Sequence, residues 1–369
     1  MKFICNTSEL SEACQNVQRA ASAKTAIPAI EGILITAEGG TLTLTGYDLE
    51  MGITTTIASR NEQEGSIVLN AHMLSDILRR LPGDLVTVES DARNIAVIKS
   101  GEAEYTLIGI SAEEYPELPS VSNGYPITID QLLLKDMVRK TIFSVAIKDS
   151  KAVHTGIKFE IGNDKIRLIA VDGVRLALRN ETIQYSDEEL TFVVPAKTLS
   201  EVVKLMSEEG GDVNIGVGKR HIVFSLGSYK IISRLLDGEF LNYKAAIPST
   251  TKSVVTVNTR NLIESIDRTS LIITDKLKSP VKCVFKNDLI DISSVTSLGT
   301  ASDRISCRLE GDDCTIGFNN KYMIEALRVC DTDEVKVMLN GPVSPILIVP
   351  PEGDSFIFLI LPVRLKNED

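Results

Sequence analysis

The chain has no tryptophan, and only 5% of its 369 residues are aromatic, so its cores must be largely aliphatic. It has no CxxC pair: its cysteines are Cys5, Cys14, Cys283, Cys307, Cys314 and Cys330, and the middle third has none. That spacing argues against a disulfide framework or a zinc site and fits buried, reduced thiols in a cytoplasmic protein. The histidines His72, His154 and His221 lack metal-ligand spacing. No apolar run reaches about 18 residues, so no membrane span is expected. Met1 to Leu10 lacks the apolar stretch of an export signal. No carboxylate pair stands at a spacing suited to general acid–base work. GVGK at 216–219 has Val213 where a phosphate loop needs glycine and Arg220 where it needs serine or threonine, so it reads as a hairpin turn. Neither a cofactor nor a metal is expected.

What is present is one pattern written three times. Phe3, Ile127 and Val255 each open an apolar run, and Leu10, Leu134 and Leu262 start helical patterns seven residues later. Asp48, Asp172 and Thr296 stand 124 residues apart at the polar ends of apolar strands, and Ala71, Ala196 and Asn320 open second helices. A period near 124 exceeds the roughly 20–50 residues of a solenoid repeat and matches a whole domain. Leu10, Ala13, Cys14 and Val17 follow helical spacing. Leu42, Leu44 and Gly46 alternate with threonines, as antiparallel strands with one covered face do. The expectation is α+β: three tandem domains at 1–122, 123–251 and 252–369, each with two helices on one face of an antiparallel sheet. Linker-like composition at 115–126 and 247–253 marks the boundaries.

Net charge is −11, which disfavours simple nucleic-acid binding, but its distribution is uneven. The helical segments 8–24, 71–81, 130–151, 195–207, 258–278 and 319–330 hold 17 Lys/Arg against 11 Asp/Glu; the remainder holds 22 against 39. Basic charge therefore lies on helices. A domain of about 123 residues is roughly 30–35 Å across. Three in a ring leave almost no hole, whereas six leave one of roughly 30 Å. That admits a DNA duplex on the order of 20 Å across. Six domains mean two chains in head-to-tail contact, with helix lysines and arginines touching phosphates without reading bases. An enzyme with a site spread over domain interfaces, and an oligomeric scaffold that never touches DNA, are the competing readings.

The pieces MKF, AIPAIEGILI (26–35), LTLTGYDLEM (42–51), AVDGVRLAL (170–178), LLDGEFLNY (235–243) and ILPVRL (360–365), in this order, resemble the bacterial replicative sliding clamps, the beta subunits of DNA polymerase III. The likeness runs from Met1 to Leu365. It implies a ring-shaped homodimer that encircles duplex DNA, is opened by a clamp loader, and tethers the polymerase alpha subunit and repair polymerases by effective concentration, without chemistry of its own. By matching position it implies DNA contacts at Lys24, His72, Lys148 and Lys197; helix position adds Arg79, Arg80, Lys135, Arg139 and Lys151. It implies a peptide groove at Val171, Gly173, Val174, Arg175, Leu176, Leu241, Ile360, Leu361, Pro362, Val363 and Arg364. Apolar walls with guanidinium rims suit a short peptide with Leu and Phe anchors. It also implies a dimer seam of Tyr105 and Leu107 against Ile272 and Ile273. The sequence departs from the family pattern at Leu241, where proline is common, at Ala245, and in the extension Lys366 to Asp369.

Overall fold

Four of the seven α-helices among the described residues begin directly after an asparagine that ends or follows a strand. In a computed structural model that describes all residues but 23–24, 122–123, 150, 275–278 and 366–369, α1 (Thr7–Val17), α2 (Ala71–Leu78), α6 (Thr259–Ser270) and α7 (Asn320–Arg328) are capped by Asn6, Asn70, Asn258 and Asn319. Each cap's side-chain oxygen accepts a first-turn backbone N–H, at 3.0 Å from Glu9, 3.0 Å from Met73, 2.9 Å from Asn261 and 2.9 Å from Lys321. At α3 (Gln131–Ile142) Asp130 does the same for Leu133, at 2.9 Å. α4 (Ala196–Leu205) follows a strand ending on Pro195. One short helix, α5 (Tyr243–Ala246), has no counterpart in the sequence expectation.

The hairpin turns repeat with the same period. Gly39 and Gly40, Asn163 and Asp164, and Asn287 and Asp288 are 124 residues apart, and all adopt positive φ between 52° and 78°. This is the conformation a tight two-residue hairpin requires, and glycine, asparagine and aspartate tolerate it best. The recurring Asp48, Asp172 and Thr296 also have a common task. Asp48 Oδ1 accepts from the N–H of Glu50 (3.0 Å) and Met51 (2.7 Å), and Asp172 Oδ1 from Val174 and Arg175 (3.0 Å each). Thr296 Oγ1 accepts from Leu298 at 3.1 Å. Each side chain closes the turn before the next strand.

The chain divides into two compact units, Met1–Leu133 with Lys197–Leu235, and Leu134–Ala196 with Leu236–Asp369. All paired strands are antiparallel, as expected. The first unit holds a five-stranded and an eight-stranded sheet, the second a nine-stranded and a four-stranded sheet. In the second unit Leu262 and Ile266 of α6 and Met323, Ile324 and Leu327 of α7 share one aliphatic core with Val255 and Val257 of the nine-stranded sheet and Val281 and Ile292 of the four-stranded sheet, so the helices pack against two sheets and not on one face of a single sheet as expected. Full burial of each such side chain is worth about 2 kcal/mol. GVGK forms a turn in which Gly218 N–H donates to His221 C=O at 2.9 Å, between paired Val217 and Ile222.

The periodicity does not show that sheets run on from one repeat to the next. In the eight-stranded sheet the first repeat's strand Met51–Ala58 pairs with Tyr229–Arg234 of the second, with Met51 opposite Ser233 and Ile53 opposite Ile231. In the nine-stranded sheet the second repeat's Arg175–Thr182 pairs with Phe356–Ile360 of the third, with Arg175 opposite Ile360 and Ala177 opposite Phe358. Arg175 is Met51 shifted by 124, and the two junctions share one register.

Candidate functional site

In the second unit, the turn after strand Lys165–Val171 places Gly173 at φ 88° with open space where a Cβ would point. Beside it, Val174 C=O accepts the N–H of Leu361 at 2.9 Å, and Val363 N–H donates to Gly317 C=O at 2.8 Å. The segment 361–365 thus crosses from this turn to strand Cys314–Phe318. A Cβ on Gly317 would stand 2.7 Å from both Val363 O and Leu365 Cδ2, so only glycine admits the crossing. Val174, Leu241, Leu361 and Val363 are each exposed to about 40%. Val171, Leu176 and Ile360 are buried, so they form a floor beneath those side chains. Pro362 lies between the exposed walls. Arg364 lines a depression of about 650 Å³ with Pro342, Val343 and Leu365.

Arg175 differs from the free rim expected of it. Its Nε donates to Asp172 Oδ2 at 2.8 Å, a second nitrogen is held by Glu325 on α7, and the guanidinium lies 4.4 Å from the Tyr322 ring centroid. Its charge is spent within the protein, and it acts as a brace between a strand and α7. Sequence reasoning missed Tyr322, Glu325 and Val343. The helical pattern of 319–330 located the first two, but nothing in it shows which face meets Arg175.

The basic helix residues are similarly engaged. His72 is exposed on α2, while Arg79 and Arg80 are exposed in the turn that follows it and not within the helix expected to run to 81; Asp76 pairs with both arginines. Lys197, at the start of α4, is exposed and paired with Asp48 at 2.5 Å. In the second unit Lys135 is half-buried on α3, while Lys148 and Lys151 are exposed on the loop that follows it. Lys24 lies outside the described residues. Arg139 and the buried Lys140 both bridge Asp136 and Asp331, and Asp136 also binds Arg179 at 3.1 Å. Burial would raise the pKa of Asp331, but hydrogen bonds from Lys140 and Arg139 outweigh it and hold the carboxyl below its usual range. A depressed folded-state pKa stabilises the fold above the unfolded value and loses that contribution as pH falls through the folded value. The melting temperature should therefore drop below roughly pH 4, and less steeply in Asp331→Asn. Identical acid profiles for the two proteins would refute the network's role.

Two of the strands that end a sheet have large apolar side chains exposed beside them. Ala103–Ile108 ends the five-stranded sheet, and Gly299–Ser306 ends the four-stranded sheet. Near them Tyr105 is 38% exposed and Ile108 86%, and Leu298 and Leu271 are 69% and 82% exposed. Leu107, by contrast, is buried, and Ile273 packs on the core of its own unit, with Ile272 half-exposed beside it. The exposed apolar surface at these edges is therefore carried largely by Ile108, Leu271 and Leu298, which the sequence reading did not single out.

Tandem α+β repeats whose sheets continue across repeats, with open strand edges and basic helices, define a DNA-clamp protein. Residues 1–119, 128–242 and 244–364 match the family models for the N-terminal, central and C-terminal domains of the DNA polymerase III beta subunit. The Beta sliding clamp of Bacillus subtilis is 33% identical over 99% of this chain and 100% of its own. The crystal structure of the DNA polymerase sliding clamp from Bacillus subtilis superposes with a TM-score of 0.97, at 33% identity over 99% of this chain and 100% of that one. The beta subunit from Streptococcus pyogenes gives a TM-score of 0.94, at 28% identity over 99% and 100%. The chain belongs to the DNA polymerase III beta subunit family, the bacterial sliding clamps. Its function is that of a sliding clamp in DNA replication, a processivity factor that is not itself catalytic.

Proposed function

We propose that two copies of this chain, each of three domains divided at 1–122, 123–251 and 252–369, close head to tail into a ring around duplex DNA. The observation that carries this reading is the common register of the two junctions. Strand Gly299–Ser306 occupies in the third repeat the place of Met51–Ala58 and Arg175–Thr182, and among the described residues its outer edge is unpaired. Strand Ala103–Ile108 occupies in the first repeat the place of Tyr229–Arg234 and Phe356–Ile360, and its outer edge too is unpaired among the described residues. Transferring the register of Met51 opposite Ser233, and Arg175 opposite Ile360, sets Gly299 opposite Leu107 of the partner subunit. Ala301 then faces the partner's Tyr105. At both internal junctions the backbone just past this pair is hydrogen-bonded: Arg234 N–H to Glu50 C=O, and Leu361 N–H to Val174 C=O, each 2.9 Å. The matching bond at the seam runs from the partner's Ile108 N–H to Leu298 C=O. An open edge with exposed apolar residues is a liability in a lone chain and an interface in a closed ring.

Within the ring His72, Arg79, Arg80, Lys135, Arg139, Lys148, Lys151 and Lys197 face the duplex. Many already have carboxylate partners, which weakens their grip on phosphate. Weak grip suits sliding, because topology holds the DNA while the contacts exchange counterions freely. The groove from Val174 to Arg364 takes peptides of the polymerase alpha subunit, clamp loader and repair polymerases, and the chain works at the nucleoid during replication.

The test is retention on circular DNA. Clamps placed on a nicked circle by a cognate loader should stay on at high salt and leave when the circle is linearised. Equal retention on both forms would mean ordinary surface binding and would overturn the ring.

A further inference from the structure

The wall residue Leu241 stands in the chain between Phe240 and Tyr243, whose rings are held by the groups beneath them. Tyr243, on α5, is 3% exposed and packs in one apolar cluster with Val171, Leu176 and Leu359, while Phe240 packs against the cluster's edge. The Tyr243 hydroxyl donates to Glu160 Oε2 at 2.7 Å and receives a hydrogen bond from Arg167 Nη1 at 3.2 Å. Arg167 also reaches Glu160 Oε2 at 3.3 Å, and its Nε donates to Asn180 at 2.7 Å. Lys158 completes the set. Its Nζ lies 2.8 Å from Glu160 Oε1, and 5.5 and 5.7 Å from the ring centroids of Tyr243 and Phe240. One carboxylate thus gathers a phenol, a guanidinium and an ammonium, and the ammonium lies over both rings that flank Leu241. The backbone is held as well, since Tyr243 N–H donates to Leu241 C=O at 2.8 Å. Leu241 itself stays 43% exposed.

We propose that Tyr243, Glu160, Arg167 and Lys158 form a latch that sets the position of Leu241, and so tunes peptide affinity without touching the peptide. The proposal rests on the groove reading above. It also bears on the family departure: a proline at position 241 would be stiff in its own backbone, whereas a leucine there takes its fixed position from its neighbours. Burial pushes the Tyr243 hydroxyl up to about 12, so it remains a donor to Glu160 throughout the neutral range. Hydrogen bonds from Lys158 and Tyr243 overcome the burial of Glu160 and keep it ionised as their acceptor.

The experiment uses the full-length dimer and a fluorescein-labelled peptide carrying a glutamine, a leucine and a terminal phenylalanine. Tyr243→Phe keeps the ring and removes only the hydroxyl, and Glu160→Gln removes the acceptor charge. Each should weaken peptide binding about fivefold to tenfold, with dimerisation unchanged. In a Leu241→Ala background, Tyr243→Phe should cost nothing further, because a positioning residue acts only through the group it positions. A general loss of packing would instead persist there and lower the melting temperature. Wild-type affinity in both Tyr243→Phe and Glu160→Gln, or full additivity with Leu241→Ala, overturns the latch and leaves the groove standing. A peptide that fails to bind the wild-type dimer overturns the groove reading and the latch with it.

Discussion

A chain carrying Ile108→Asp and Leu298→Asp should sediment as a monomer and leave circular DNA as readily as linear DNA. Both side chains lie largely in water in the single chain, 86% and 69% exposed, so neither change should disturb a core. Surface substitutions of that kind usually shift stability by no more than about 0.5 kcal/mol. In the proposed ring the shared junction register would bring the two positions together across the seam, with the partner's residue 108 donating its backbone N–H to residue 298. Two carboxylates would then meet in a desolvated strip, at a cost of several kcal/mol for each of the two seams. At about 1.4 kcal/mol per decade, dimer affinity should fall by on the order of a thousandfold or more. Ile147→Asp is the control, since Ile147 is 94% exposed but lies on neither open edge. It should remain dimeric. Sedimentation velocity reads the outcome directly, and a double variant that stays dimeric at micromolar concentration would place the seam elsewhere.

This expectation depends on a feature the sequence does not display. The repeat itself is legible, because its turns carry particular residues for particular reasons: aspartate or threonine to close the turn at 48, 172 and 296, and glycine or Asn-Asp at the left-handed hairpins. The helices are legible from their apolar spacing, and all six expected segments contain one. Pairing between repeats is not legible, because Met51 and Ser233 are far apart in sequence and no local pattern encodes their register. Charge pairing escapes for the same reason. Counting lysines and arginines on helices finds Arg79, Arg139 and Lys197 but cannot show that Asp76, Asp331 and Asp48 already engage them. Arg175 is the sharpest instance. By position it is a groove rim, yet contacts from Asp172, Glu325 and Tyr322 make it a brace. The floor and walls of the proposed groove separate only once burial is known, because Ile360 and Leu361 are equally apolar in sequence and differ from 1% to 40% in exposure.

That difference decides where the chain should be cut. Ending it after Ile360 should abolish peptide binding while leaving a dimer that still holds circular DNA. Ile360 belongs inside, since it stands opposite both Arg175 and Ile346 in the nine-stranded sheet. Removing it would damage the sheet and confuse a binding defect with a folding defect. Removing only the residues from Leu361 onward takes away the hydrogen bonds to Val174 and Gly317 and the contact of Leu365 with Gly317. Each bond is worth about 1 kcal/mol, so the melting temperature should fall by a few degrees and the fold should survive. The loss in binding should be far larger, because the exposed walls Leu361 and Val363 go together with Arg364. Truncating a central apolar anchor costs about 2 kcal/mol or more, and losing the whole wall should lower peptide affinity at least a hundredfold. Polymerase synthesis with the cut clamp should then resemble synthesis without a clamp. The two variants fail in opposite ways: the seam variant should bind peptide and release DNA, and the cut chain should hold DNA and ignore peptide. A cut chain that keeps full peptide affinity would remove the C-terminal segment from the site, whatever its effect on stability.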